Sequence, residues 1–139
     1  MKQLFKNIEF NAQMFRISLV VLAVVCVLQI MADIFDWYYI FPKFDTPMHV
    51  LGGMFVGFFA LAYTIKGSNP LQKMVWVITW SIIIGVGVEI FEWALTHIFH
   101  KEVGFLLQGS VLDTYGDILH DFIGGVISFC IAYFYRYFK

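Results

Sequence analysis

MVWVITWSIIIGVGVEIFEWALTHIF, residues 74–99, is the stretch whose reading decides the fold. It exceeds the ~20 mostly apolar residues that a helix needs to cross a bilayer core. It contains no Pro, and Gly85 and Gly87 are of a kind that membrane helices tolerate. Yet it carries two carboxylates, Glu89 and Glu92, toward one end. A spanning helix with ionisable groups inside it is the premise from which the rest of the chain is read.

Three more apolar stretches lie around it. Ile17 to Met31 is extended by Phe15, Ile34 and Phe35, and the others run from Met48 to Ile65 and from Ile118 to Phe138. The 139 residues are 60% hydrophobic and only 14% charged, against about 45–50% and about 25% in soluble domains. So short a chain has no water-soluble core large enough to bury that surface. The expected fold is therefore all-α. A four-transmembrane-helix bundle would form one integral membrane domain over residues 1–139, with spans at about 15–35, 47–66, 74–99 and 117–138. The first span reads as retained, because its apolar run is long and no small-x-small cleavage pattern follows.

The connections are short. Residues 33–47 are rich in aromatics that suit a membrane interface (Trp37, Tyr38, Tyr39, Phe41, Phe44), and Gly67-Ser68-Asn69-Pro70 signals a turn. Cys26 and Cys130 fall mid-span and read as small buried hydrophobes, with no disulfide framework or thiolate metal motif. No basic stripe points to nucleic acid. Lys2, Lys6, Arg16, Lys66, Lys73, Arg136 and Lys139 fall on the side of the termini, and Lys43 and Lys101 on the other. The positive-inside rule then places the N- and C-termini in the cytoplasm, and the chain is expected to be a multi-pass protein of a cell membrane.

Carboxylates divide the opposite way. Glu9 alone lies with the termini, while Asp33, Asp36, Asp45, Glu89, Glu92, Glu102, Asp113, Asp117 and Asp121 lie toward the outer side. Three groups converge there. Asp45 and His49 are spaced i, i+4, Glu89 and Glu92 i, i+3, and Asp113, Asp117 and Asp121 step by four with His120 alongside. Such spacings put side chains on one helical face. Insertion scales set the cost of a mid-membrane Asp at about 2.5–3.5 kcal/mol. Six carboxylates side by side require either retained protons or a bound cation. Asp45, His49, Glu89, Glu92, Asp113, Asp117, His120 and Asp121 are accordingly candidate ligands. A divalent metal is the implied cofactor: carboxylates favour Mg²⁺, Ca²⁺ or Mn²⁺, and imidazole widens the choice toward Zn²⁺ or iron. Glu89, Asp117 and His49 are also candidate acid/base groups.

Structural roles compete for several of these residues. Asp45, before Thr46-Pro47, fits the cap of the second helix, and Asp117 the cap of the fourth. Asp113 fits a turn, His120 the headgroup layer, His97 and His100 the interface, and Asp33 and Asp36 the wet end of the first helix. Gly52, Gly53, Gly57, Gly85, Gly87, Gly124 and Gly125 mark close helix packing that would draw the acid-bearing helices together.

Asp45-x-x-x-His49, Glu89-x-x-Glu92 and Asp117-x-x-x-Asp121-x-x-Gly124 resemble, in order and spacing, the three motif blocks of VanZ-like membrane proteins. Val88-Glu89-Ile90-Phe91-Glu92-Trp93 followed by Asp113-Thr114-Tyr115-Gly116-Asp117 is more similar still to the YjdF-like inner-membrane family. The likeness covers about residues 44–128. It implies a small multi-pass membrane protein and, on the VanZ side, a link to glycopeptide resistance; the YjdF-like family brings no established activity. The chain departs from the VanZ pattern at Glu92 (commonly Gln), Asp121 (commonly Asn), Thr46 (commonly Lys) and near Ser110, where a basic residue is missing. Each change makes the cluster more acidic.

The functional expectation is an acidic/His pocket near the extracytoplasmic face. It would bind a cation or a polar, lipid-headgroup or lipid-linked ligand, with metal-assisted hydrolase or transferase chemistry. The alternatives are a proton- or cation-coupled small transporter and a non-catalytic scaffold or VanZ-like resistance protein. The lipid bilayer is the implied partner, with a homo-oligomer as a further one.

Overall fold

A computed structural model of the chain describes residues 7–99 and 111–137, with side chains described over 7–95 and 111–135. Expectations for Lys2, Lys6, His100, Lys101, Glu102, Ser110 and Lys139, and for the side chains of His97 and Arg136, lie outside the described residues. Four long helices, each long and apolar enough to cross a membrane, make up the bundle: α1 (Ala12–Ile34), α3 (Asp45–Ala62), α4 (Pro70–Phe99) and α5 (Val111–Tyr137). A single-turn helix, α2 (Trp37–Ile40), lies in the aromatic connection. Two short strands, β1 (Ile8–Phe10) and β2 (Tyr63–Ile65), form an antiparallel ribbon that the apolar pattern does not announce.

That ribbon ties the start of α1 to the end of α3. Ile8, Glu9 and Phe10 pair with Ile65, Thr64 and Tyr63, and the Asn11 N–H donates to the Ala62 carbonyl at 2.8 Å. Asn11 then caps α1, its side chain accepting from the backbone N–H of Gln13 and Met14. Beyond the ribbon, Gly67 turns the chain with φ +80°, a left-handed conformation that glycine takes without strain. Asn69 and Gln72 bond each other's backbone N–H groups around Pro70 at the head of α4, a reciprocal cap with Pro in the favoured first position.

The central helix is α3, which packs against α1, α4 and α5 and is the most buried of the four. Its crossing with α5 is backbone on backbone. A Cβ added at Gly53 would collide with the Asp121 carbonyl, and one at Gly124 with the Val50 carbonyl. Small residues create this close approach where lipid gives helices little hydrophobic reason to associate. Gly87 is an exception to the expected packing role, since nothing among the described residues lies within 4 Å of its missing side chain. Toward the ribbon end Met14, Phe58, Leu61, Ala62 and Val77 are buried together, with the hydroxyl side chains of Ser18, Thr64 and Ser128 also buried.

Two further expectations are corrected. Asp45 does not cap the second helix: it is the first residue of α3, the preceding position is Phe44, and no side chain caps that end. Nor does Asp117 cap the fourth, because α5 already runs from Val111, well before the apolar run at Ile118. Helical hydrogen bonding needs no apolar side chain, so the helix extends through the acidic turns. Cys26 and Cys130 are both exposed at the bundle surface rather than buried, and no disulfide joins them. Ser18, on α1, is fully buried and bonds back to the Phe15 carbonyl.

Candidate functional site

His49 projects from the second turn of α3 into the contact with α4 and α5, where it is 8% exposed. Its Nδ1 stands 3.3 Å from Asp121 Oδ2. A carboxylate oxygen accepts, so Nδ1 carries the proton and donates. In the neutral ring this leaves the Nε2 lone pair free. Around Nε2 lie three carboxylate oxygens from three helices: Asp45 Oδ2 at 3.6 Å, Glu89 Oε1 at 3.8 Å and Asp117 Oδ1 at 3.9 Å. None is at hydrogen-bond distance. One imidazole thus has a bonded carboxylate on one nitrogen and three unbonded ones facing the other.

Burial sharpens this arrangement. Glu89 is 5% exposed, Asp117 7% and Asp121 5%. Asp45 forms the outer rim, with 40% of its side chain accessible. Glu89 Oε1 is fully buried and has no hydrogen-bond partner among the described residues, while the Thr114 side chain stands beside the same carboxylate. No Lys or Arg among the described residues pairs with the cluster; its ion-pair contacts run to His49 and His120 alone.

The cluster rests on glycines. A Cβ at Gly85 would overlap the Asp121 carboxylate, one at Gly52 would touch its other oxygen at 3.6 Å, and Gly53 meets its backbone carbonyl. Asp121 therefore occupies a slot made by missing side chains on α3 and α4, and this slot aims its carboxylate at His49 Nδ1. One ligand atom each from Asp45, His49 and Asp117 fall within 4.8 Å of one another, a spacing at which a metal ion can be held.

The other expected residues stand further out. His120 Nδ1 is 3.9 Å from Asp117 Oδ1, the same oxygen that faces His49, and this nitrogen too lacks a hydrogen-bond partner among the described residues. Glu92 is half-buried one turn above Glu89, and Asp113 is exposed in the first turn of α5. Asp33 and Asp36 are exposed at the end of α1, Asp33 accepting from Gln29 Nε2 at 3.1 Å. Thr114 is the member that the sequence reading passed over. Its signal was its place on the face of Asp117 and Asp121, at i, i+3 and i+7.

The aromatic connection walls the same end. Tyr38 and Trp37 pack edge-on against Phe44, next to Asp45. The Tyr38 hydroxyl donates to Gln29 Oε1 at 2.8 Å. Burial, and then the negative charge of Asp45, push this phenol up to about 12.

Residues 4–138 match the model of a family described as a predicted membrane protein (DUF2238). No curated protein and no solved structure matches the chain.

Proposed function

We propose that this chain, which belongs to the DUF2238 family of predicted membrane proteins, holds a divalent transition-metal ion at the acidic end of its bundle. His49 Nε2, Asp45 and Asp117 are the ligands, with Glu89 as the fourth. Asp121 holds the imidazole in the donating tautomer from behind, the carboxylate–histidine–metal relation that fixes ring orientation in metal sites.

One observation carries the reading: the buried Glu89 Oε1, without a partner among the described residues, stands 3.8 Å from His49 Nε2 alongside two more carboxylate oxygens at similar range. Direct imidazole–carboxylate hydrogen bonds would close to about 2.7–2.9 Å. With metal–ligand bonds of about 2.1 Å, ligand atoms of a tetrahedral site stand about 3.4 Å apart. The observed 3.6–3.9 Å separations need only a small contraction to reach that edge. Imidazole beside carboxylates, with no thiolate, favours Mn²⁺, Fe²⁺ or Zn²⁺ over Mg²⁺ or Ca²⁺.

By the positive-inside rule this end faces away from the cytoplasm. The half-exposed Asp45 leaves the ion's outward side toward the headgroup layer, where an oxygen-rich ligand would join as a fifth donor, an expansion that such sites accept. Polarisation of a phosphoryl or carbonyl oxygen, or activation of water, is the chemistry that such a site supplies, with Glu92 and His120 as the nearest groups to move a proton. The carrier reading is weaker because no ionisable side chain among the described residues is buried below the cluster, where the hydroxyls of Ser81 and Ser128 sit among Phe58, Leu61 and Val77.

The test is elemental analysis of the purified protein, with metal-dependent thermal stability. We expect about one transition-metal ion per chain, lost in His49→Ala and Asp117→Asn and reduced in Glu89→Gln. Asp113→Asn, which removes an exposed carboxylate outside the cluster, should retain it. Absence of metal, with no stabilisation by added Mn²⁺, Fe²⁺ or Zn²⁺, would overturn the proposal. A metal-free protein that Glu89→Gln sharply destabilises would instead assign the cluster to helix packing.

A further inference from the structure

The opposite end of the bundle carries a feature unrelated to the cluster. Beneath the turn between β2 and α4 lies a cavity of about 580 Å³. Its polar side is formed by Lys66, Ser68, Gln72 and Lys73, and its apolar side by Leu71, Val75 and Trp76. Among the described residues no carboxylate lines it. Glu9, on the paired strand, lines a neighbouring cavity of about 660 Å³ that shares Lys73. Among the described residues neither Lys66 nor Lys73 enters an ion pair.

Depth in the membrane gives these residues their meaning. The apolar span of α4 begins at Pro70, so the lysines stand at the boundary between water and hydrocarbon. Leu71 and Val75, one turn apart, are 65% and 54% exposed, and they continue the cavity onto the lipid-facing surface. Trp76 is held in place by its indole N–H, which donates to the Ala60 carbonyl at 3.2 Å. Tryptophan at this level suits the interface. The combination is two ammonium groups without an ion-pair partner among the described residues, hydroxyl and amide groups between them, and an apolar track leading down into the bilayer.

We propose that this cavity binds an anionic phospholipid, its phosphate between Lys66 and Lys73 and its acyl chains along Leu71 and Val75. The charge complements the anionic lipids of the leaflet on this side, and the apolar track distinguishes a lipid from a free anion. A lysine near an anionic membrane surface contributes enough that losing both weakens binding by roughly tenfold or more.

The experiment uses the full chain, purified in neutral detergent and titrated with phosphatidylglycerol or phosphatidylcholine under native mass spectrometry. Phosphatidylglycerol should be retained in preference. K66Q/K73Q should lose that preference by at least about tenfold, and K66R/K73R should restore it. K43Q, at the far end, should leave it unchanged, and circular dichroism should give equal helix content for every variant. Equal retention of the two lipids by the unaltered chain, or equal retention of phosphatidylglycerol by the chain and K66Q/K73Q, overturns the proposal. So does displacement of the bound lipid by millimolar inorganic phosphate, which would assign the cavity to the free anion. Because the cavity and the cluster occupy opposite ends, neither proposal depends on the other.

Discussion

At the scale of single residues, the geometry around His49 sets sharp contrasts between neighbouring positions. Gly85 and Gly87 lie two residues apart on α4, yet a side chain at the first would overlap the Asp121 carboxylate and one at the second meets nothing among the described residues. Gly85→Ala should therefore displace Asp121 and lower both metal content and thermal stability. Gly87→Ala should leave both unchanged, within about 0.5 kcal/mol. Equal behaviour of the two variants in a metal-dependent melting assay would contradict the slot described for Asp121. Tyr38 gives a second residue-scale expectation. Its phenol is raised from 10.0 to about 12, so the folded chain holds this proton more tightly than the unfolded chain. The stability that it contributes is complete below pH 10 and disappears as pH rises toward 12. The ultraviolet difference between the chain and Tyr38→Phe should develop near pH 12, and development near pH 10 would show the phenol exposed.

At the scale of elements, the α3–α5 contact and the ribbon dominate. Gly53→Ala forces a methyl group onto the Asp121 backbone, which has no flexible end to yield. Overpacking of this kind typically costs about 1–3 kcal/mol. Thermal unfolding in detergent should register that loss, together with loss of metal, because the same contact aims Asp121 at His49. The ribbon is a separate device. Asn11 caps α1 through its side chain and bonds Ala62 through its backbone. Asn11→Ala should cost about 1 kcal/mol while leaving the metal in place, since the cap lies at the end remote from His49. Metal loss in this variant would mean that the two ends are coupled.

At the scale of the whole molecule, the proposed topology places the cluster outside and the lysine cavity inside. Lys43→Cys should react in intact cells with a maleimide that cannot cross membranes, and Ser68→Cys only after the cells are opened. The reversed pattern would invert the chain and put the metal in contact with the cytoplasm. The native thiols at Cys26 and Cys130 lie within the spans and should stay silent in this assay.

The number of spanning helices, and the layer in which the acids gather, were legible along the chain. Both follow from properties that add up locally: about 20 apolar residues reach across a bilayer wherever they occur, and steps of three or four put Asp45 with His49, or Asp117 with Asp121, on one helical face. Helix starts were less legible, because an apolar run marks where lipid begins while hydrogen bonding alone carried α5 back through Asp117 to Val111. The β1–β2 ribbon gave no hydrophobic signal, since three residues paired across more than fifty of sequence gain their order from α1 and α3 being neighbours. Only the tertiary structure decided that Asp121 stands behind the imidazole while Asp45, Glu89 and Asp117 stand before it. That division depends on how deeply α5 settles against α3 and α4. Backbone contacts at Gly53 and Gly124 set this depth, and no spacing along one strand of sequence encodes the distance between two helices.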